Sequence, residues 1–203
     1  MTKIKFCGLT RACDIENANE LRPEYVGFVF AQKSKRFICT KGAAELKSLI
    51  NPDIKAVGVF VNEEPEKIAA LLSRGIIDIA QLHGNESEEY ITRLRTLTGK
   101  PIIKAFRIDK AADIMRAENS TADCILLDSG SGGTGEAFDW HLIKNIKRPY
   151  FLAGGLSPDN AGKAVALLNP YAVDVSSGIE TDGYKDKVKM TAFAAAVRNI
   201  NNI

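Results

Sequence analysis

The chain has 203 residues, with 27 Lys plus Arg against 25 Asp plus Glu and a formal net charge of +2, which suits one domain, residues 1–203, with a full core. A hydrophobic fraction of 45% and a charged fraction of 26% exclude a disordered chain, and the near-even charge gives no reason to expect nucleic acid or an anionic membrane as partner. No apolar run approaches the ~18 residues a spanning helix needs, and Cys7, Cys13, Cys39 and Cys124 have neither CxxC nor zinc spacing, so a cytoplasmic chain with free thiols and no signal peptide is expected.

Short β-branched runs alternate with amphipathic stretches. Eight strands are predicted, over residues 3–7, 25–30, 55–61, 79–83, 102–107, 124–128, 150–153 and 172–176. Between them, Ile68, Leu71 and Leu72 share a helical face, and Gly75 stands where a helix C′ glycine belongs. Tyr90, Ile91, Leu94 and Leu97 form the next stripe, closed by Gly99-Lys100-Pro101. The pattern over 109–119 is weak and suggests a shortened helix. Ser157-Pro158 reads as an N-cap with proline at N1, and Met190, Phe193, Ala194, Val197 and Ile200 form the last face. Strand–helix alternation implies parallel strands with right-handed crossovers. Eight units favour a closed (β/α)8 TIM barrel over an open doubly wound sheet. At 203 residues this barrel lies near the lower limit of the fold, roughly 200.

Chemistry in such barrels sits at the C-terminal strand ends. Period 2 puts Lys5 and Cys7 on one face of strand 1, with Cys7 last before the loop. A buried structural cysteine is the alternative there. After strand 2, Lys33-Ser34-Lys35-Arg36-Phe37 is either a solvated basic loop or an anion clamp, Arg36 having the best shape for a carboxylate. Gln81 and His83 share a face of strand 4, and His83 is either a ligand group or a satisfied structural histidine. Asp128 ends the apolar run of strand 6 as a candidate acid or base. The following Gly130-Ser131-Gly132-Gly133-Thr134-Gly135 matches G-x-G-x-x-G. Its place after the sixth strand argues for a loop that closes over a ligand rather than a dinucleotide site. Gly154-Gly155 after strand 7 and Ser177-Gly178 after strand 8 stand where this fold holds phosphate. The sum is metal-free, cofactor-free acid/base chemistry on a phosphorylated small molecule.

These residues carry a resemblance. Lys5-Phe6-Cys7-Gly8-Leu9-Thr10, Gln81-Leu82-His83-Gly84, Asp128 with Gly132-Gly133-Thr134-Gly135 and Phe138-Asp139-Trp140, Ala153-Gly154-Gly155-Leu156, and Asp174-Val175-Ser176-Ser177-Gly178-Ile179-Glu180 resemble the phosphoribosylanthranilate isomerases of tryptophan biosynthesis. The likeness runs from residue 3 to about 180 and into the last helix. Ser34-Lys35-Arg36 departs from the more usual Ser-Pro-Arg but keeps the Arg.

The resemblance implies an Amadori rearrangement of N-(5-phosphoribosyl)anthranilate to 1-(2-carboxyphenylamino)-1-deoxyribulose 5-phosphate. Asp128 would be the general acid on the ribose ring oxygen, and Cys7 the base that removes the C2′ proton. Arg36 would take the anthranilate carboxylate. The amides of Gly154, Gly155, Ser177 and Gly178 would take the phosphate, with His83 nearby in a less defined role. Lys5, one layer below Cys7, is expected to help its thiolate form. The histidine-pathway aminoaldose isomerase is the nearest rival, but it uses two aspartates, and a catalytically dead binding barrel is the other. Monomer and homodimer both stay open.

Overall fold

The computed structural model describes residues 1–128, 140–143 and 146–201. The glycine-rich run 130–135, Phe138 and Asp139 lie outside the described residues. The strands are β1 (Lys3–Cys7), β2 (Tyr25–Val29), β3 (Lys55–Phe60), β4 (Ile79–Leu82), β5 (Ile102–Arg107), β6 (Cys124–Asp128), β7 (Tyr150–Leu152) and β8 (Ala172–Val175). They pair in sequence order, and β8 returns to β1 to close the barrel. Every pairing is parallel.

Helices α1 (Ala12–Leu21), α2 (Thr40–Leu49), α3 (Pro65–Ser73), α4 (Glu88–Leu97), α5 (Ala111–Glu118), α6 (Pro158–Leu168) and α7 (Lys187–Asn201) surround the strands. Local chemistry sets their ends. Pro65 occupies the first turn of α3, where its missing N–H costs no hydrogen bond. Gly75, at φ +69, stops the same helix as its N–H reaches the Leu72 carbonyl at 3.1 Å. The Ser87 hydroxyl caps α4 by accepting from Tyr90 N. Asn160 reaches back to Ser157 N at 2.9 Å to close the capping box of α6. The weak 109–119 pattern becomes an eight-residue helix, α5, held because the Asp113 carboxylate accepts from Asp109 N and Lys110 N, each at 3.1 Å. After β6 the described residues hold a 3₁₀ turn at Trp140–Ile143.

Two packing layers follow from strand alternation. Ile4, Phe6, Val26, Phe28, Ile125, Leu127 and Val173 face outward into the sheet–helix core that also holds Phe193 and Val197 of α7. Tyr25, Val57, Ile103, Leu126, Phe151 and Ala172 fill the barrel interior. Cys7, Val29 and Val59 form a separate small cluster at the C-terminal ends of β1, β2 and β3.

One element goes beyond the predicted barrel. Residues Glu180–Thr181 and Tyr184–Lys185 form a two-stranded hairpin, β9 and β10. Its turn is Asp182-Gly183, both at positive φ, the conformation that Asp-Gly favours in tight hairpins. All four cysteines are free thiols, and among the described residues no helix is long and apolar enough to cross a membrane.

Candidate active site

The barrel mouth is built from strand ends whose parity aims them inward. The β1–β8 register pairs Lys5 with Asp174, and their side chains form a buried ion pair at 2.9 Å. The β1–β2 register sets Cys7 beside Gly27. A Cβ at Gly27 would stand 2.7 Å from Cys7 Sγ, so the glycine makes room for the thiol. A glycine inside a strand is a visible sign of close approach, and Gly27 was available to sequence reading on that ground.

Burial pushes the Cys7 thiol up, and Asp174 adds to the rise. Lys5, through its charge and a hydrogen bond, pulls the other way, as does the charge of Lys185. The net result is a raised thiol. Burial also works against the Lys5 ammonium, but Asp174 and Cys7 outweigh it and hold Lys5 above its ordinary value. Lys5 thus acts in the expected direction without overcoming desolvation. Replacing Lys5 by Met is expected to raise the Cys7 thiol further, read as a shift of alkylation rate to higher pH. It also strands Asp174, at a cost of about 3–5 kcal/mol, read by denaturant titration. A thiol that titrates unchanged would separate Lys5 from the chemistry.

On the other side of the mouth, the Gln81 amide nitrogen lies 2.9 Å from His83 Nδ1, and His83 Nε2 lies 3.3 Å from Asp128 Oδ2. With Nδ1 accepting from the amide, the ring proton sits on Nε2 and faces the carboxyl group. His83 and Asp128 line a cavity of about 1260 Å³, together with Glu86, Lys104 and Arg107. The loop after β4 that carries His83 is held by a buried hub. Lys104 Nζ donates to Glu86 at 2.9 Å and to the Gly84 carbonyl at 2.7 Å. Glu86 also accepts from Asn62 N and Gly84 N. Glu86 and Lys104 lie 18 residues apart on different elements, so nothing in the sequence pattern joins them.

Arg36 is not a free guanidinium. Its Nε and Nη2 donate to the two oxygens of Glu180 at 2.6 and 2.7 Å. Glu180 also accepts from Lys185 at 2.5 Å. Lys185 donates in addition to Ser176 O and Ser176 Oγ, and the Ser176 hydroxyl donates to the Cys7 carbonyl at 3.0 Å. Burial lowers Lys185, against the pull of Glu180. Burial would raise Glu180, but Arg36 and Lys185 overcome it and hold the carboxyl below its usual range. Sequence reading missed Lys185, although Asp182-Gly183 signals the hairpin that delivers it.

The loops after β7 and β8 meet at the same mouth. Gly154 and Gly155 adopt φ +87 and +62, a left-handed pair that only glycine makes without strain. Ser177 and Gly178 open the short 3₁₀ turn Ser177–Ile179. A Cβ at Gly178 would lie 1.9 Å from the Leu156 carbonyl oxygen, so the two loops touch through this glycine. They do so beside the N-terminal end of α6, where backbone amides and the helix dipole favour an anion. Among the described residues no group of three or more His, Cys, Asp or Glu is placed to hold a metal ion. The structure therefore brings Cys7, Arg36, Gly154, Gly155, Ser177 and Gly178 to one end of the barrel with His83 and Asp128, the end formed by the C-terminal strand ends and the loops that follow them.

A family profile described as N-(5'phosphoribosyl)anthranilate (PRA) isomerase matches residues 4–196. The chain belongs to this isomerase family. An N-(5'-phosphoribosyl)anthranilate isomerase from Clostridium acetobutylicum is 46% identical over 206 residues, covering 98% of each chain. The barrel superposes on the crystal structure of phosphoribosyl anthranilate isomerase from Thermotoga maritima with a TM-score of 0.90 and 38% identity, over 98% of this chain and 100% of that one. A further phosphoribosyl anthranilate isomerase structure, in complex with reduced 1-(o-carboxyphenylamino)-1-deoxyribulose 5-phosphate, gives a TM-score of 0.88 at 37% identity over the same shares. The isomerase family thus extends over nearly the whole barrel described above.

Proposed function

We propose that this member of the isomerase family converts N-(5-phosphoribosyl)anthranilate to 1-(2-carboxyphenylamino)-1-deoxyribulose 5-phosphate in tryptophan biosynthesis, in the cytoplasm, with Asp128 as acid and Cys7 as base. The observation that carries this reading is the placement of the two groups: a thiol at the end of β1 beside Gly27, and, three strands away around the closed barrel, a carboxyl at the end of β6 beside His83. An aldose-to-ketose shift needs such a pair on either side of a small sugar.

Asp128 delivers a proton to the ribose ring oxygen, and the ring opens to an iminium. His83 Nε2–H then supports the carboxylate left behind. Cys7 as thiolate takes the C2′ proton, and the resulting enolamine tautomerises to the ketone. Electrons stay within the substrate, so the reaction as written uses no redox cofactor. Arg36 receives the anthranilate carboxylate, and the amides of Gly154, Gly155, Ser177 and Gly178 receive the phosphate. Anthranilate derivatives fluoresce, so loss of substrate can be followed directly. Turnover by chelator-treated protein is the expected result. Tight binding of the substrate without turnover would leave a binding barrel instead.

Gly178 provides an independent check on the phosphate site. Gly178→Ala would put its Cβ 1.9 Å from the Leu156 carbonyl oxygen, which forces that backbone aside and so separates the loops after β7 and β8. A misplacement of about 1 Å can cost roughly 10²-fold, so kcat/KM should fall by about that factor, with inhibition by inorganic phosphate weakened in parallel. Unchanged phosphate inhibition would remove these amides from the phosphate site.

A further inference from the structure

The guanidinium of Arg36 is planar and carries five N–H donors in a fixed arrangement. Glu180 engages one edge of it, through Nε and Nη2, at 2.6 and 2.7 Å. Fixing that edge fixes the plane, and with it the direction of the opposite end, formed by Nη1 and the second proton of Nη2. That end has the same two-donor shape and fits a second carboxylate.

Glu180 is itself immobilised. Its side chain is 9% exposed, and Lys185, at 2% exposure, grips Oε1. The hairpin β9–β10 holds both residues, with Glu180 and Lys185 directly paired across it. The rest of Arg36 is equally constrained. Its backbone N–H donates to Ser34 Oγ at 3.1 Å. Its aliphatic stem runs over Gly8, which adopts φ +78 and where a Cβ would meet Arg36 Cδ at 2.5 Å. The charges also add up usefully. Lys185 neutralises Glu180, which leaves Arg36 with one uncompensated positive charge for one incoming carboxylate.

We propose that Glu180 is a positioning residue for substrate selection: by clamping the Nε/Nη2 edge of Arg36 it aims the other end of the guanidinium at the ring carboxylate, so that the site prefers an ortho-carboxylated arylamine to a plain one. Glu180 acts through Arg36 and touches no reacting atom. The inference rests on the reading that Arg36 receives the substrate carboxylate.

The test compares two ligands by calorimetry: reduced 1-(o-carboxyphenylamino)-1-deoxyribulose 5-phosphate, and the same molecule without the ring carboxylate. Glu180→Gln, nearly isosteric, should weaken the carboxylated ligand by about tenfold, or 1.4 kcal/mol, and leave the other within twofold. Glu180→Asp, which keeps the charge on a shorter stem, should change the same ligand in the same direction and serves if Glu180→Gln does not fold. Arg36→Met should erase the preference for the carboxylate. In an Arg36→Lys background, where there is no fork to orient, Glu180→Gln should cost nothing further. Equal weakening of both ligands by Glu180→Gln would mark a merely structural role and overturn the proposal. A preference lost in Arg36→Met but intact in both Glu180 variants would overturn the proposal and keep the Arg36 reading. A preference that survives Arg36→Met would remove the reading and the proposal together.

Discussion

Cys7→Ala is expected to lower kcat by about 10²–10⁴-fold, the range that a positioned general base contributes, while leaving the fold in place. The substitution removes one sulfur from a small cluster with Val29 and Val59, so the stability change should be modest. The chemical change is not modest, because the C2′ proton of the iminium then has no thiolate to receive it. Cys7→Ser should be nearly as inactive, since an alkoxide forms far less readily than a thiolate. The pH dependence gives a second readout with a definite sign. Burial raises the thiol, and Lys5 and Lys185 only partly offset it. The active base is the deprotonated form, so wild-type kcat/KM should climb with pH as the thiolate population grows. That rise should vanish in Cys7→Ala. Near-normal turnover in the variant would take the base role away from Cys7, and a surviving rise with pH would show that some other group sets it.

The barrel was legible in the sequence because a parallel strand buried on both faces leaves a plain signature. All eight strands begin at the residue expected from the sequence. Five of the predicted strands run one residue too far, at Phe30, Val61, His83, Ala153 and Ser176. The reason is visible at His83, whose N–H still bonds the Phe60 carbonyl at 2.8 Å although the ladder of β4 ends at Leu82. Loops leave the sheet gradually, and hydropathy does not record the last hydrogen bond. Parity was enough to place Cys7, Gln81, His83 and Asp128 toward the mouth, because a strand permits only two directions.

What surrounds those residues was less legible. Arg36 and Glu180 are 144 residues apart, and no periodicity joins a loop after β2 to a hairpin after β8. The sequence suggested an arginine waiting for an anion. The structure gives an arginine already held along one edge, which changes its task from attraction to aim. Lys5 shows the same effect from another side. Its place below Cys7 follows from period 2, but its pairing with Asp174 depends on how β8 registers against β1, and that pairing limits how far it can help the thiol.

Asp128→Asn is expected to match Cys7→Ala in size, a fall of about 10²–10⁴-fold in kcat, by blocking a different step. The amide is nearly isosteric and its oxygen can still accept from His83 Nε2, now 3.3 Å from the Asp128 carboxylate. The site should therefore keep its shape and its affinity for the reduced product analogue. An amide has no proton of suitable acidity for the ribose ring oxygen, so ring opening becomes the slow step. Deuterium at C2′ separates Asp128→Asn from the Cys7→Ser variant. In Asp128→Asn the C–H bond breaks after the barrier, and deuteration should no longer slow kcat/KM. In Cys7→Ser the same bond breaks at the barrier, and deuteration should slow it most. An isotope effect that persists in Asp128→Asn would put Asp128 at the proton-abstraction step and require the acid and base roles to be exchanged.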